Sequence, residues 1–386
     1  EINRVITRSY IPHTEQRTKN IINRILALDE DETIALLESV IHDFSHRHRY
    51  FREVLSQNFN NVAQHIPNVC ELSEQQRLLI GSYFTAEYSV EAAALFNPSI
   101  VPIPNLATDP KNFCRFIMSF RGVGEGHISS IEFRSGYIDE NNDIYFDPLS
   151  THVRTPESDT DSSYDRELFQ LKLQDIGANE KVTEWLLSDL ADEFTFQELE
   201  KRISDHYSGN KVRELDKTEA FEKAMWLARS NYHSEFRQDH PVSERVLFPV
   251  SQSESQGIED ARFVRFVEDD GAIIYYATYT AYNGETILPQ LIETRDFISF
   301  KINTLNGKQA HGKGMALFPR KIAGQYVMLS RQDGENNAIM FSDNLHFWEH
   351  SQILQTPAFP HEFFQIGNGG FPIQTADRTL VITPGF

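Results

Sequence analysis

Two adjacent acids and an arginine stand together in Gly257-Ile258-Glu259-Asp260-Ala261-Arg262, where a loop enters an expected β-strand at residues 263–267. A carboxylate with a cation two residues on builds an acid–base site, and the same pattern also builds a surface ion pair. A polar run at 251–256 precedes it and an aromatic strand at 273–280 follows. Cleaving a glycosidic bond needs a proton donor to the leaving oxygen and either a water-activating base or an incoming anion. Asp260, Glu293, Asp333 and Glu335 are carboxylates available for such work. Tyr275, Tyr276, Tyr279 and Tyr282 offer sugar-stacking faces, although tyrosines on a strand are more often core or surface. There is no serine nucleophile elbow, no Cys/His pair of recognised spacing and no HExxH. His42, His46 and His48 lack an acid or cysteine at ligand spacing, so a solvated, mixed-charge face is expected there and no metal site.

The elements that must position these groups change character along the chain. Residues 19–66 show apolar positions at helical spacing, and 73–84 form a further helix or a helix-to-loop entry. This gives an N-terminal helical module at 1–75 and a second domain at 76–386. Residues 94–102 read as a strand interrupted by prolines, and 113–122 as a strand ending in a cation. Residues 124–133 are a Gly-rich loop running into a strand, without the following helix a phosphate loop needs. Between about 155 and 232 the pattern reverts to helix, behind a polar linker at 156–162, and reads as an insertion. After Val246 short strands dominate. Three hairpin turns, at Asp270-Gly271, Ala323-Gly324 and Ala376-Asp377, are spaced 53 residues apart. A period near 50 with about four short strands per unit predicts a β-propeller, with a β-sandwich as the rival. In a propeller the residues just before each hairpin converge on the channel mouth. They are Arg121 with Glu125 and His127; Glu259, Asp260 and Arg262; His311 and Lys313; and Gln365, Asn368 and Gly369. Acids, cations, amides and a histidine together suit a polyhydroxylated ligand.

Composition narrows the partners. The 386 residues are 40% hydrophobic and 24% charged, as for a soluble globular protein. A net charge of −20 repels phosphate backbones and anionic membranes, which excludes nucleic acid as an expected partner. No apolar run reaches the ~20 residues that span a bilayer. The two cysteines, Cys70 and Cys114, give neither a disulfide framework nor a zinc cluster, and are expected as partly buried thiols in a reducing cytoplasm. A chain that begins without Met also admits an earlier-cleaved signal and a periplasmic location.

Four ordered motifs then carry a resemblance. They are Gly257 to Arg262; Lys313-Gly314-Met315-Ala316-Leu317-Phe318-Pro319-Arg320-Lys321-Ile322; Ser330-Arg331-Gln332-Asp333-Gly334-Glu335-Asn336; and Gln365-Ile366-Gly367-Asn368-Gly369-Gly370-Phe371-Pro372-Ile373. With Phe96-Asn97-Pro98 and Ser119-Phe120-Arg121, they resemble glycoside hydrolase family 130 over roughly 90–386, the helical insertion excluded. The resemblance implies an all-β five-bladed β-propeller, here with an N-terminal helical module and a helical insertion, that cleaves β-mannosides by phosphorolysis or hydrolysis. It implies Asp260 as general acid, protonating the leaving oxygen through a sugar hydroxyl. Arg121 looks like an arginine that holds phosphate in phosphorolytic members, and Lys313 falls where those members often carry a further cation. His127, Glu259, Arg262, Arg331, Gln365 and Asn368 complete the expected substrate- or phosphate-binding set, with Arg262 fixing the loop.

The chain departs from the pattern at Gly314, where a polar residue often follows the cation, and at Gln365, where phosphorolytic members often place a cation. Both departures favour inverting hydrolysis of β-1,2-mannosides, with Glu293 or Glu335 as base. Phosphorolysis releasing mannose 1-phosphate is the alternative, and a non-catalytic sugar-binding propeller the second alternative. Thr383-Pro384-Gly385-Phe386 departs from the usual Thr-His-Gly, beyond which the family normally continues for another blade. The expected partner is a manno-oligosaccharide. No cofactor is expected beyond inorganic phosphate as co-substrate of a phosphorylase, and the helical additions are expected to mediate homo-oligomers.

Overall fold

The structure, a computed structural model, describes residues 4–110, 112–159, 163–208, 215–375 and 377–383. Residues 160–162 of the expected linker, Ala376 of the third turn and residues 384–386 of the last motif lie outside these. The chain forms two compact units. The first is Glu1–Ala94 with Val123–Gly126 and Leu149–Thr155, and the second is Leu95–Gly122, His127–Pro148 and Pro156–Phe386.

Unit 1 holds β1 (Val5–Ser9), α1 (Glu15–Leu26), α2 (Glu30–Phe44), α3 (Phe51–Val62), α4 (Glu74–Tyr83) and β2 (Thr85–Ser89). Capping boxes start two of the helices: Asp29 with Glu32 at α2, and Ser73 with Gln76 at α4. Their apolar faces meet in a core that includes Leu55, Val62, Leu79, Ile80 and Phe84. Helical periodicity hides one pairing, the antiparallel β1–β2 ribbon that aligns Val5 with Ser89. His48 departs from the expected solvated face. It is 8% exposed, and its Nε2 lies 2.6 Å from a Glu87 carboxylate oxygen.

Unit 2 begins with β3 (Ala94–Pro102), β4 (Cys114–Val123), β5 (Ser129–Ile138), β6 (Ile144–Phe146) and β7 (Glu157–Asp159). The helical stretch follows as β8 (Ser163–Asp165), α5 (Arg166–Asp175), α6 (Glu180–Leu187), β9 (Glu193–Thr195), α7 (Phe196–Ser208) and α8 (Leu215–Arg229). Then come β10 (Tyr232–Glu235), β11 (Val246–Leu247), β12 (Gly257–Val267), β13 (Ile273–Tyr282), β14 (Ile287–Thr294) and β15 (Ser299–Thr304). The last strands are β16 (Lys313–Leu317), β17 (Tyr326–Arg331), β18 (Asn337–Ser342), β19 (Ser351–Gln355), β20 (Ile373–Gln374) and β21 (Thr379–Leu380).

One sheet runs β3-β4-β5-β12-β13-β14-β15-β10-β7, with β6 and β11 also paired to β5. The strand β3 tolerates Pro98 and Pro102 because it is an edge, where a missing N–H removes no ladder bond. A second sheet, β16-β17-β18-β19, is a four-stranded meander like the β12–β15 segment. The expected hairpins are present as β12–β13, β16–β17 and β20–β21. The helical stretch hangs on a strand pair that sequence reading missed: β7 and β10 align Asp159 with His233, so the chain leaves and re-enters at one sheet edge. It carries its own core, including Phe169, Leu173, Leu186, Phe194 and Leu227.

Under β12–β15, Phe133, Phe263, Phe297 and Phe300 pack ring on ring, with Phe263 and Phe297 centroids 5.5 Å apart. The tyrosines offered as stacking faces divide. Tyr275, Tyr276 and Tyr279 are buried and belong to the core. The cysteines depart from expectation as well, since Cys70 and Cys114 are both exposed. No helix among the described residues is long and apolar enough to cross a membrane.

The loop after β18 carries a pH-sensitive group. Burial, and then the charge of Lys301, pull the His346 pKa from 6.5 down to about 4. Below pH 6.5 the unfolded chain takes up this proton while the folded chain does not until about pH 4, so stability falls as pH falls through that window. Replacing His346 with Gln should flatten the urea-midpoint profile between those values. An unchanged acid limb in the variant would rule the histidine out as its source.

Candidate active site

The site is built on an irregularity in β12. Its register against β13 passes from Glu259↔Thr280 to Arg262↔Thr278, so β12 carries one extra residue, a bulge. Asp260 sits in it with φ 58°, the left-handed conformation that Asp and Asn tolerate better than most residues. Gly257 makes the approach: it has φ 127°, and a Cβ there would stand 2.3 Å from Ser129 Oγ. No other residue type lets β12 start this close to β5. Asn97 on β3 is also left-handed, with φ 52°.

These constraints bring five charged groups together. Asn97 Nδ2 donates to Asp260 Oδ1, and Arg121 donates to the same oxygen at 3.3 Å. Oδ1 thus accepts from two donors, and the Asp260 side chain is 31% exposed. Arg121 also donates to Glu259 Oε1 at 2.7 Å, and Lys313 donates to Glu259 Oε2 at 2.6 Å. Glu259 is thus a 9%-exposed carboxylate clamped between two cations. The Arg121 guanidinium lies over the Phe96 ring at 5.2 Å, and the Lys313 ammonium over the Tyr282 ring at 5.9 Å. Arg262 donates to the Gly314 carbonyl at 2.9 Å. Burial, with the nearby Arg331, draws the Arg262 pKa down, while Asp260 holds it up.

Two buried polar atoms of the cluster have no partner among the described residues, Arg121 Nε and Asn368 Oδ1. One is a donor and the other an acceptor, the pair a polyol or an oxyanion would engage. Beside Asp260, a niche of about 10 Å³ lined by Thr278, Thr280, Gly312 and Gly314 has room for about one water.

Of the residues singled out from sequence, Arg121, Glu259, Asp260 and Lys313 meet directly, and Arg262 lies beside them on the Gly314 carbonyl. Arg331 pairs with Lys313 across β16–β17. Asn368 Oδ1 and Arg262 lie within 3.7 and 3.8 Å of the position a Gly314 Cβ would take. Gln365 is half-buried, and the neighbouring Ile366 amide donates to the Glu335 carbonyl. Glu335 and His127 have exposed side chains, and neither hydrogen-bonds to the Asp260 cluster.

Glu293 is not brought to Asp260. On β14, Pro289 pairs with Thr280 beside the bulge while Glu293 pairs with Tyr276. Four strand residues separate the two positions, about 13 Å. An inverting pair of carboxylates stands ~6.5–9.5 Å apart.

Sequence reading singled out Tyr282 only as a stacking face and Asn97 only within a motif, and did not place either against the charged cluster. An Asn before a Pro is a turn signal, and a left-handed Asn on an edge strand can aim its amide across the sheet.

Gly314 departs from a polar residue and has φ 85°, with only ordinary contacts awaiting a Cβ. Gly314→Ala should therefore cost stability through backbone strain alone, about 1–2 kcal/mol. A thermal midpoint equal to wild type would contradict this.

A family model described as beta-1,4-mannooligosaccharide phosphorylase matches residues 233–385. The 1,2-beta-oligomannan phosphorylase of a Thermoanaerobacter species is 33% identical over 146 residues, covering 36% of this chain and 47% of that protein. The chain thus spans about half the length of the curated relative it matches. Among solved structures, a beta-1,2-mannobiose phosphorylase from Listeria innocua is 17% identical at TM-score 0.35, over 77% of this chain and 69% of that one. A putative glycoside hydrolase from Parabacteroides distasonis is 12% identical at TM-score 0.39, over 78% of this chain and 64% of that one. At these TM-scores the structural likeness carries no argument. The family match holds the carboxylates, Arg262, Lys313, Arg331 and Asn368 of the cluster in one segment, and over residues 233–385 the chain is similar to the mannoside phosphorylases of that family model.

Proposed function

We propose that this protein cleaves β-mannosidic linkages at the Asp260 cluster, with inorganic phosphate as the attacking group and inversion at the anomeric carbon. The observation that carries the reading is local charge. Among the described residues, Arg121, Arg262 and Lys313 gather around two carboxylates, Glu259 and Asp260, in a chain whose net charge is −20. A cation surplus in an acidic chain has a physical use if an anion binds there. In this reading the Asp260 Oδ2 proton passes to the leaving oxygen through a sugar hydroxyl. A phosphate oxygen attacks C1 from the opposite face, held by Arg121 and Lys313. The C1–O bond to the leaving sugar breaks as the C1–O bond to phosphate forms. Glu259 fixes both cations, and Arg121 bridges it to Asp260. Fold and site are read together: the β12–β15 and β16–β19 meanders are consecutive blades of a five-bladed β-propeller, each opening on its motif.

Hydrolysis is the second reading. The water-sized niche beside Asp260 favours it, as does Glu259, which already pairs with Arg121 and Lys313. Glu335, on the loop after β17, is then the base.

The test is a panel of β-1,2- and β-1,4-linked manno-oligosaccharides, each with and without phosphate. Turnover of a β-1,2 substrate only when phosphate is present is expected. Equal rates of mannose release without phosphate would overturn phosphorolysis, and no turnover of any mannoside would overturn the enzymatic reading.

A further inference from the structure

A cavity of about 590 Å³ opens in unit 2 between α5, α8 and the segments around Asn283 and Gly307. Lys172 lines it and is only 4% exposed. The other lysines here are answered by acids: Lys223 by Glu219, and Lys308 by Glu349. Lys172 is not. Burial draws its pKa down, the charge of Asp175, which also lines the cavity, holds it up, and among the described residues its ammonium makes no hydrogen bond. A buried ammonium is costly unless an anion meets it, and most buried lysines have one. The same wall carries the half-buried indole of Trp226, the Asn283 amide and His311. Three lysines, an aromatic face and an amide around a cavity of this size fit a small polyhydroxylated anion.

The cavity shares none of its side chains with the Asp260 cluster. The backbone connects the two, because Gly307, Ala310 and His311 line the cavity and the next residues are Gly312 and Lys313.

We propose that this cavity is a second ligand site, which binds a phosphorylated monosaccharide with its phosphate on Lys172 and a sugar face on Trp226. Occupancy orders the 307–311 segment and so the position of Lys313. The phosphorolytic reading contributes only the choice of probe, mannose 1-phosphate, because it is the product of that reaction.

The experiment is a calorimetric titration of the full chain with mannose 1-phosphate, run in an Arg121→Ala background that weakens the Asp260 cluster. One equivalent should still bind. Adding Lys172→Met should weaken that binding at least tenfold, whereas Lys172→Arg, which keeps the charge, should largely preserve it. Met removes an unanswered charge at similar length, so the unliganded variant should melt no lower than its parent. Trp226→Leu is the second variant, and it should weaken binding and remove the ligand-induced change in indole fluorescence.

Mannose and inorganic phosphate alone should each bind at least tenfold more weakly. Equal affinity for phosphate alone overturns the sugar half of the proposal. Binding unchanged by both Lys172→Met and Trp226→Leu, or lost with Arg121→Ala alone, overturns the site. Should the Asp260 cluster bind no sugar phosphate at all, wild type and Arg121→Ala would show the same single equivalent, still removed by Lys172→Met.

Discussion

On the proposed reaction, Asp260→Asn should lower kcat on β-mannosides by about 10²–10⁴, the usual contribution of a positioned general acid. The substitution is clean because Asn accepts the left-handed backbone that the bulge imposes, so the cluster keeps its shape. The amide cannot release a proton to the leaving oxygen. It still accepts at Oδ1 from Asn97 and Arg121, so KM should change little. Poor leaving groups should suffer most, and an activated aryl mannoside should be partly spared, because its leaving oxygen needs no proton. Steady-state kinetics on the two substrate types check this. A rate within threefold of wild type on unactivated substrate would remove Asp260 as the acid.

Arg121→Ala should lower kcat/KM for phosphate by about 10²–10³, the loss seen when one donor to developing or transferred negative charge is removed. Two structural effects accompany it. Asp260 loses a donor, and Glu259 is left with Lys313 alone. The Arg121 side chain is 20% exposed, so breaking its pairings should cost about 2 kcal/mol, below the cost in a fully dry interior. The phosphate dependence separates the effects: a purely structural role lowers the thermal midpoint and leaves the KM for phosphate unchanged. Arg121→Lys should recover part of the loss. An ammonium restores the charge, but it cannot bridge Glu259 and Asp260 as the guanidinium fork does.

How much of this was written in the sequence varies by element. The β12 hexapeptide alone read either as an acid–base site or as a surface ion pair, and only the ordered motifs after it singled it out. The hairpins after Val246 were legible, since Asp270-Gly271 and Ala323-Gly324 supply the positive φ their turns require. Pairing between distant segments was not. The β7–β10 pair and the β1–β2 ribbon join short strands separated by helices, and periodicity within a segment says nothing about its partner.

For the same reason Glu293 looked available from sequence, and only the β13–β14 register shows it opposite Tyr276 rather than Pro289's neighbour Thr280. The tyrosines of β13 take the commoner course for a strand, with Tyr275, Tyr276 and Tyr279 in the core. Alternation predicts two faces, but β13 lies between β12 and β14 and is buried along most of its length. Asn97 was visible as a turn residue, yet its reach to Asp260 depends on a left-handed backbone on each partner.

The central claim is that the Asp260 cluster passes a mannosyl group from a β-linkage to phosphate. Following β-1,2-mannobiose and inorganic phosphate by ³¹P NMR tests it most directly. The expected result is one new phosphomonoester, α-mannose 1-phosphate, formed in equal amount to free mannose by the wild-type chain and absent with Asp260→Asn. Release of two mannose molecules per disaccharide with no new phosphorus resonance would contradict it.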